Sequence, residues 1–429
     1  MNFLAHGLGG RTDLPLNGVA AIIGGGIAVA ISFAALAKFW SRPWLNPDAG
    51  RPLPFLHFVD SPGLRWVARV LTLALAALVV AVAFLGPPET ERNLAPWALY
   101  VTFWVGLVPL SALFGPVWRI VNPLRTLHSC LSVVSGSGRH GDCHGDHYPS
   151  RLGYWPAAVW LAAFVWLELV LPARSDPRVV GGVILGYAVA NLVAARVFGS
   201  GWFARGDGFE VYATLIARLC PIGRRSDGAL ILRNPLAGLV RTDDEPGMAA
   251  VACVLIGATG FDGLTRTTFW QSGGVLGDTL GLLGSIAAVS ALYAIAMRLS
   301  ALVSPARGLP GLFAPTLLPI ALGYAVAHYF SFFLLEGQTT LILAGDPFGT
   351  GLDLFGTRDH AIDYRFVSPE LVAMVQINAI VLGHIAGTAA AHDQALRLFP
   401  PKQARRGQLP VVIAMVLLTC TGLLLLLSG

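Results

Sequence analysis

The sequence predicts an all-α polytopic membrane protein of about ten transmembrane helices, and three observations lead there. Only 12% of its 429 residues are charged while 55% are hydrophobic; a soluble domain carries about 25% charged residues. The apolar residues come in uninterrupted runs close to the ~20 that cross a bilayer as a helix. The basic residues crowd into every second connecting segment, as the positive-inside rule requires. A soluble enzyme, a nucleic-acid module and a disulfide scaffold are excluded together. The five cysteines form no CxxC pair, so no thiolate zinc site is read from them.

The runs place helices at 17–40, 64–86, 95–115, 154–173, 179–200, 248–270, 276–303, 311–336, 370–397 and 410–428. The first is too long for a signal-peptide core and lacks a basic leader and an A-x-A site. Of the 29 Lys and Arg, 22 lie in or beside the segments after helices 1, 3, 5, 7 and 9, and 7 on the other side. This asymmetry puts both termini outside, and it accounts for the net charge of +5 without any nucleic-acid partner. The expected organisation is one integral membrane domain over 1–429, in contact with the lipid bilayer of a bacterial cytoplasmic membrane. It carries an outer arm at 1–16, cytoplasmic segments at 116–153 and 201–247, and an outer loop at 337–369. The half-apolar stretches 117–127 and 208–219 suggest helices lying in the interface plane. Each cytoplasmic segment also holds an Asn-Pro-Leu triplet, at 122–124 and 234–236. The outer loop keeps Leu341, Ile342, Leu343, Phe348, Leu354 and Phe355 between its carboxylates, the pattern of a re-entrant loop dipping into protein.

Ionisable residues at membrane depth are costly and default to function or pairing. Asp262 and Arg266 form an i, i+4 pair of opposite sign in the outer half of helix 6. His328 lies on helix 8, sharing a face with Tyr324 and Ser331, and His384 lies near the middle of helix 9. The arm adds His6 and Asp13, the outer loop adds Asp346, Asp359, His360 and Asp363, and Glu168 on helix 4 is placed to join them. Imidazole and carboxylate together suit a divalent transition metal (Zn, Fe, Mn or Cu). His6, His328, His360 and His384 are the candidate metal ligands. Asp262, Arg266 and Asp346 are the candidate catalytic groups, the carboxylates as bases and Arg266 as stabiliser of oxyanion charge. Each histidine also admits a packing role between helices. His392 and Asp393, near the inner end of helix 9, suit a structural role better. The loop 139–147 has the composition of a metal tract but no packed context.

Several segments together are similar to bacterial membrane proteins of the fenitrothion hydrolase family. They are Ala-His-Gly-Leu-Gly-Gly-Arg-Thr-Asp-Leu-Pro-Leu (5–16), Trp-Val-Gly-Leu-Val-Pro (104–109), Asn-Pro-Leu-Arg-Thr-Leu (122–127) and Phe-Asp-Gly-Leu-Thr-Arg-Thr (261–267), with Gly-Tyr-Ala-Val-Ala-His-Tyr-Phe-Ser (323–331), Asp-Pro-Phe-Gly-Thr-Gly-Leu-Asp-Leu-Phe-Gly-Thr (346–357) and Gly-His-Ile-Ala-Gly-Thr-Ala-Ala-Ala-His-Asp (383–393). The resemblance runs nearly the full chain and implies a membrane hydrolase of phosphotriester-like substrates, with a second membrane subunit or homo-oligomer as partner. It carries over no catalytic role for any residue. Two other functions fit the residues: a redox or metal-handling subunit, with haem b held between two histidines or copper bound, and a transporter.

Overall fold

The computed structural model describes residues 18–134, 148–240, 244–303, 306, 308–400 and 402–428. Ten of its helical segments are long and apolar enough to cross a membrane. They coincide with the ten expected spans to within a few residues, except that the eighth runs on through a shorter helix to Ala344. The chain is mostly helical, compatible with a polytopic helical membrane protein.

The helices used below are α1 (Gly18–Phe39), α2 (Pro62–Leu85), α3 (Leu94–Phe114), α4 (Pro123–Val134), α5 (Trp155–Leu169), α6 (Pro177–Phe198) and α7 (Gly208–Ala217). They continue with α8 (Met248–Thr265), α9 (Gly274–Val303), α10 (Leu318–Leu335), α11 (Gly337–Ala344), α12 (Pro369–Leu398) and α13 (Ala404–Ser428). Two groups form. Helices α1, α9, α12 and α13 pack together on one side, and α2, α3, α5, α6 and α7 on the other. Helices α8 and α10 touch each other and members of both groups, so they form the centre. The peripheral helices keep apolar stripes at helical spacing: Ile23, Ile27 and Ile31 on α1, and Val189, Val193 and Val197 on α6, are all exposed. A hydrocarbon surrounding satisfies such faces; water would not.

Helices α10 and α12 approach each other closely. A Cβ on Gly323 would stand 2.4 Å from the carbonyl oxygen of Ala379, and one on Gly383 2.6 Å from that of Pro319. Two glycines facing each other let the backbones meet, the small-residue solution to helix association in lipid. Helix α3 contains a π-helical stretch, Ala98–Val105, before Pro109.

One expectation is corrected. The stretch 208–219 does not lie on a surface: every residue of α7 except Thr214 is buried, and it packs against α3 and α5. Its polar residues had suggested a solvated face, but they are consumed internally. Asp207 caps the helix, its carboxylate accepting from the amides of Phe209 (3.0 Å) and Glu210 (3.1 Å). Glu210 receives a two-pronged bond from Arg125, at 2.6 Å on each oxygen, and Asn122 donates to both carboxylates. In the outer loop Leu341, Leu354 and Phe355 are exposed, while Ile342, Leu343 and Phe348 are half-buried, Leu343 against the core. Its backbone amides are satisfied locally by Asp346 and Asp353.

A further difference is a small antiparallel sheet, in order β1 (Gly50–Pro52), β3 (Leu230–Arg233), β2 (Ile222–Arg224). It joins two of the basic segments, with Arg51 opposite Leu232 and Gly223 opposite Ile231. The two Asn-Pro-Leu triplets share one local geometry. In each the asparagine oxygen accepts the amide of the leucine two residues on (2.9 Å in both) at the start of a helical turn. Cap chemistry accounts for the repeat.

Candidate functional site

The site is built on the two central helices. Asp262 lies near the end of α8, fully buried, and His328 lies in the middle of α10. The His328 Nε2 stands 2.5 Å from Asp262 Oδ2. One turn beyond Asp262, the Arg266 Nε is 3.7 Å from Asp262 Oδ1, with its side chain 39% exposed. The expected i, i+4 pair is therefore present, and His328 joins it as a third polar member. Glu168 on α5 is buried and lies within Coulomb reach of both Asp262 and Arg266. Tyr329 follows His328 on α10, its ring edge-on to the imidazole at 4.9 Å.

Because Nε2 faces a carboxylate, the neutral imidazole carries its proton there and its lone pair at Nδ1. The carboxylate both sets the tautomer and favours the imidazolium that proton uptake would create. A base and its orienter are thus in hydrogen-bond contact.

His328 lines a cavity of about 240 Å³ formed by α8, α9, α10 and α13 with Ile380 of α12. Its walls are otherwise apolar, apart from four hydroxyls. Three of these are turned onto backbone: Thr259 donates to Leu255 O (2.9 Å), Ser285 to Gly257 O (2.7 Å) and Tyr324 to Leu418 O. A second, smaller space of about 20 Å³ lies between Tyr329, Tyr212 and Trp104 and shares Thr259 with the first. That is room for about one water.

The other expected site residues do not join this group. His384 is fully buried but aims elsewhere: its Nδ1 is 2.8 Å from Ile380 O on its own helix, and its ring packs edge-on against Tyr324. Asp346 is occupied in its own loop, accepting from the amides of Thr350 (2.9 Å) and Gly351 (2.6 Å). His360 is exposed in the same loop. His6 and Asp13, and the tract 139–147, lie outside the described residues. Among the described residues no three His, Cys, Asp or Glu side chains come together to hold a metal ion. The donor set there, one imidazole and one carboxylate, falls short of the three protein ligands that a catalytic zinc takes. His392 and Asp393 have the structural role expected of them. His392 bridges Gln408 (2.8 Å) and Trp40 O (2.9 Å), and Asp393 accepts from the amides of Trp44 and Leu45 and from Arg397.

Sequence reasoning set aside the loop charges, and so missed the buried Asn122, Arg125, Asp207 and Glu210 network. The signal was present: Asp207 followed by Glu210 has the spacing of a capping box.

The described residues define a polytopic helical membrane protein with a buried ionisable group at its centre. No family model, curated protein or solved structure matches this chain.

Proposed function

We propose that the chain is a membrane-embedded hydrolase acting on an apolar, phosphotriester-type substrate, with the Asp262–His328 pair as its general base. The observation that carries this reading is the 2.5 Å contact between a fully buried carboxylate and an imidazole that lines an apolar cavity. The buried carboxylate holds the imidazole in one tautomer and balances the charge it would gain, as a base that must accept a proton and return it requires. In the proposed step the lone pair at His328 Nδ1 takes a proton from water as the water oxygen bonds to phosphorus. The ester P–O bond breaks, and the imidazolium returns that proton to the leaving oxygen. Asp262 holds the ring and balances its transient charge. Arg266 stabilises the negative charge that develops on the phosphoryl oxygen.

Turnover of a chromogenic aryl phosphotriester by the purified protein in nanodiscs tests this. His328→Ala and Asp262→Asn should each lower the rate about 10²–10⁴-fold, the usual worth of a general base. Unchanged turnover in His328→Ala would end the proposal. The same assay with a chelator tests the metal-assisted form, in which His328 and Asp262 serve as two ligands. Loss on chelation and recovery with one added metal would move the reaction to that form.

Transport is a second reading. It is supported by the enclosed half-length helix α7 and the π-helical interruption of α3, both typical of helices that line substrate paths. Uptake of the intact ester into proteoliposomes, without cleavage, would favour it.

A further inference from the structure

The cavity beside His328 meets the outside of the bundle in one direction. Ala288 on α9 and Thr421 on α13 both line it, and both are exposed. Neither lies near a water-facing end: Ala288 is at the midpoint of α9 (Gly274–Val303), and Thr421 is seven residues from the end of α13. On α13, Leu417 and Leu424 share the face of Thr421 at i−4 and i+3 and are exposed apolar residues. On α9, Ile295, two turns from Ala288, is exposed on the same face. The rim therefore belongs to the apolar outer surface at membrane depth. Inside, the hydroxyls of Thr259, Ser285 and Tyr324 are spent on backbone carbonyls. Beyond the imidazole, the walls offer a ligand almost only hydrocarbon contact.

We propose that the cavity is loaded sideways from the bilayer, between α9 and α13, and that its ligand is an amphiphile whose hydrocarbon chain enters there and whose polar group stops at His328. An apolar cavity of about 150 Å³ takes one benzene ring dry, so about 240 Å³ holds a short length of chain, with the remainder left in the lipid. This names the ligand class of the site proposed above. Because binding is read without turnover, a pair that fails to hydrolyse would leave it standing.

The test uses the full chain in phosphatidylcholine nanodiscs with a palmitic acid analogue that carries a diazirine in its chain, followed by peptide mapping after illumination. Adducts are expected on the cavity residues Leu292 and Leu426, displaced by excess palmitate, as well as on the outward Leu283 and Leu424, not displaced. Ala288→Trp, which fills the rim, should reduce the cavity adducts at least fivefold and leave the outward ones unchanged. Thr421→Trp, on the opposite rim, serves if the first variant does not fold. Adducts confined to outward residues in the unaltered protein would overturn the proposal, as would cavity adducts that persist at full yield with the rim filled.

Discussion

Replacing the members of the central pair singly and together separates a buried carboxylate held by its imidazole partner from ordinary polar contact between helices. His328→Leu leaves Asp262, fully buried, facing a hydrocarbon where its hydrogen-bond donor stood. Leaving a buried charge without its partner costs about 3–5 kcal/mol. Arg266, 3.7 Å away and partly exposed, offsets some of this, so the lower edge, about 3 kcal/mol, is expected. Asp262→Leu leaves an imidazole that can stay neutral, a loss of about 1–3 kcal/mol. In the double variant neither group remains to be left behind, and its cost should fall back to about 1–3 kcal/mol. The coupling energy is then about 3 kcal/mol, the top of the range for groups in contact. Polar contacts between membrane helices average about 0.6 kcal/mol, so the two outcomes are well separated. Unfolding in mixed detergent micelles, followed by tryptophan fluorescence, measures all four proteins. A coupling near 0.6 kcal/mol would reduce the pair to interhelical glue and remove the physical basis for a poised base.

Gly383→Ala puts a methyl where Pro319 O stands 2.6 Å away; the α10–α12 crossing should widen, lowering stability by about 1–3 kcal/mol and, through the shift of His328, turnover more than stability predicts. Arg125→Ala strips the two-pronged partner from Glu210, whose side chain is 1% exposed, and should cost about 3–5 kcal/mol in the same unfolding assay, whereas Glu210→Gln should cost less. Cys130 on α4 is exposed while Cys220 and Cys253 are buried, and burial pushes the Cys220 thiol up. Cys420 is half-buried, but it lies within the apolar span of α13, out of reach of a charged reagent. In a Cys143→Ser background a membrane-impermeant maleimide should therefore label Cys130 alone, and only from the inner face; labelling from outside would reverse the expected topology. At the β2–β3 turn the Arg225 guanidinium beside Asp227 holds its carboxyl down at about 2. A depressed acid contributes stability that is full above its ordinary value of 3.8 and is lost as the pH falls towards 2. The protection of the Gly228 and Ala229 amides, taken relative to intrinsic exchange at the same pH, should fall over that window, and should not change across it in Asp227→Asn.

The membrane class and the ten spans were legible because each rests on local quantities, namely run length, low charge and the alternation of Lys and Arg. Asp262–Arg266 was legible for the same reason, since a four-residue spacing on one helix suffices to bring two side chains together. The partner of Asp262 was legible only as a candidate. His328 and His384 look alike in sequence, each an imidazole at membrane depth, and nothing local says which one faces a carboxylate. That was decided by the Gly323–Gly383 crossing, which sets the rotation of α10 and α12, leaving His328 on Asp262 and His384 on its own backbone. The same holds for Asp346 and for Asp207. Asp346, a candidate catalytic group by sequence, is a loop cap; Asp207, in a segment whose sequence singles out no site residue, is fully enclosed. Sequence determines how far a segment lies from water, because hydrophobicity accumulates along the chain. Which side chains meet is a matter of helix rotation and register, and those depend on contacts between residues far apart in sequence.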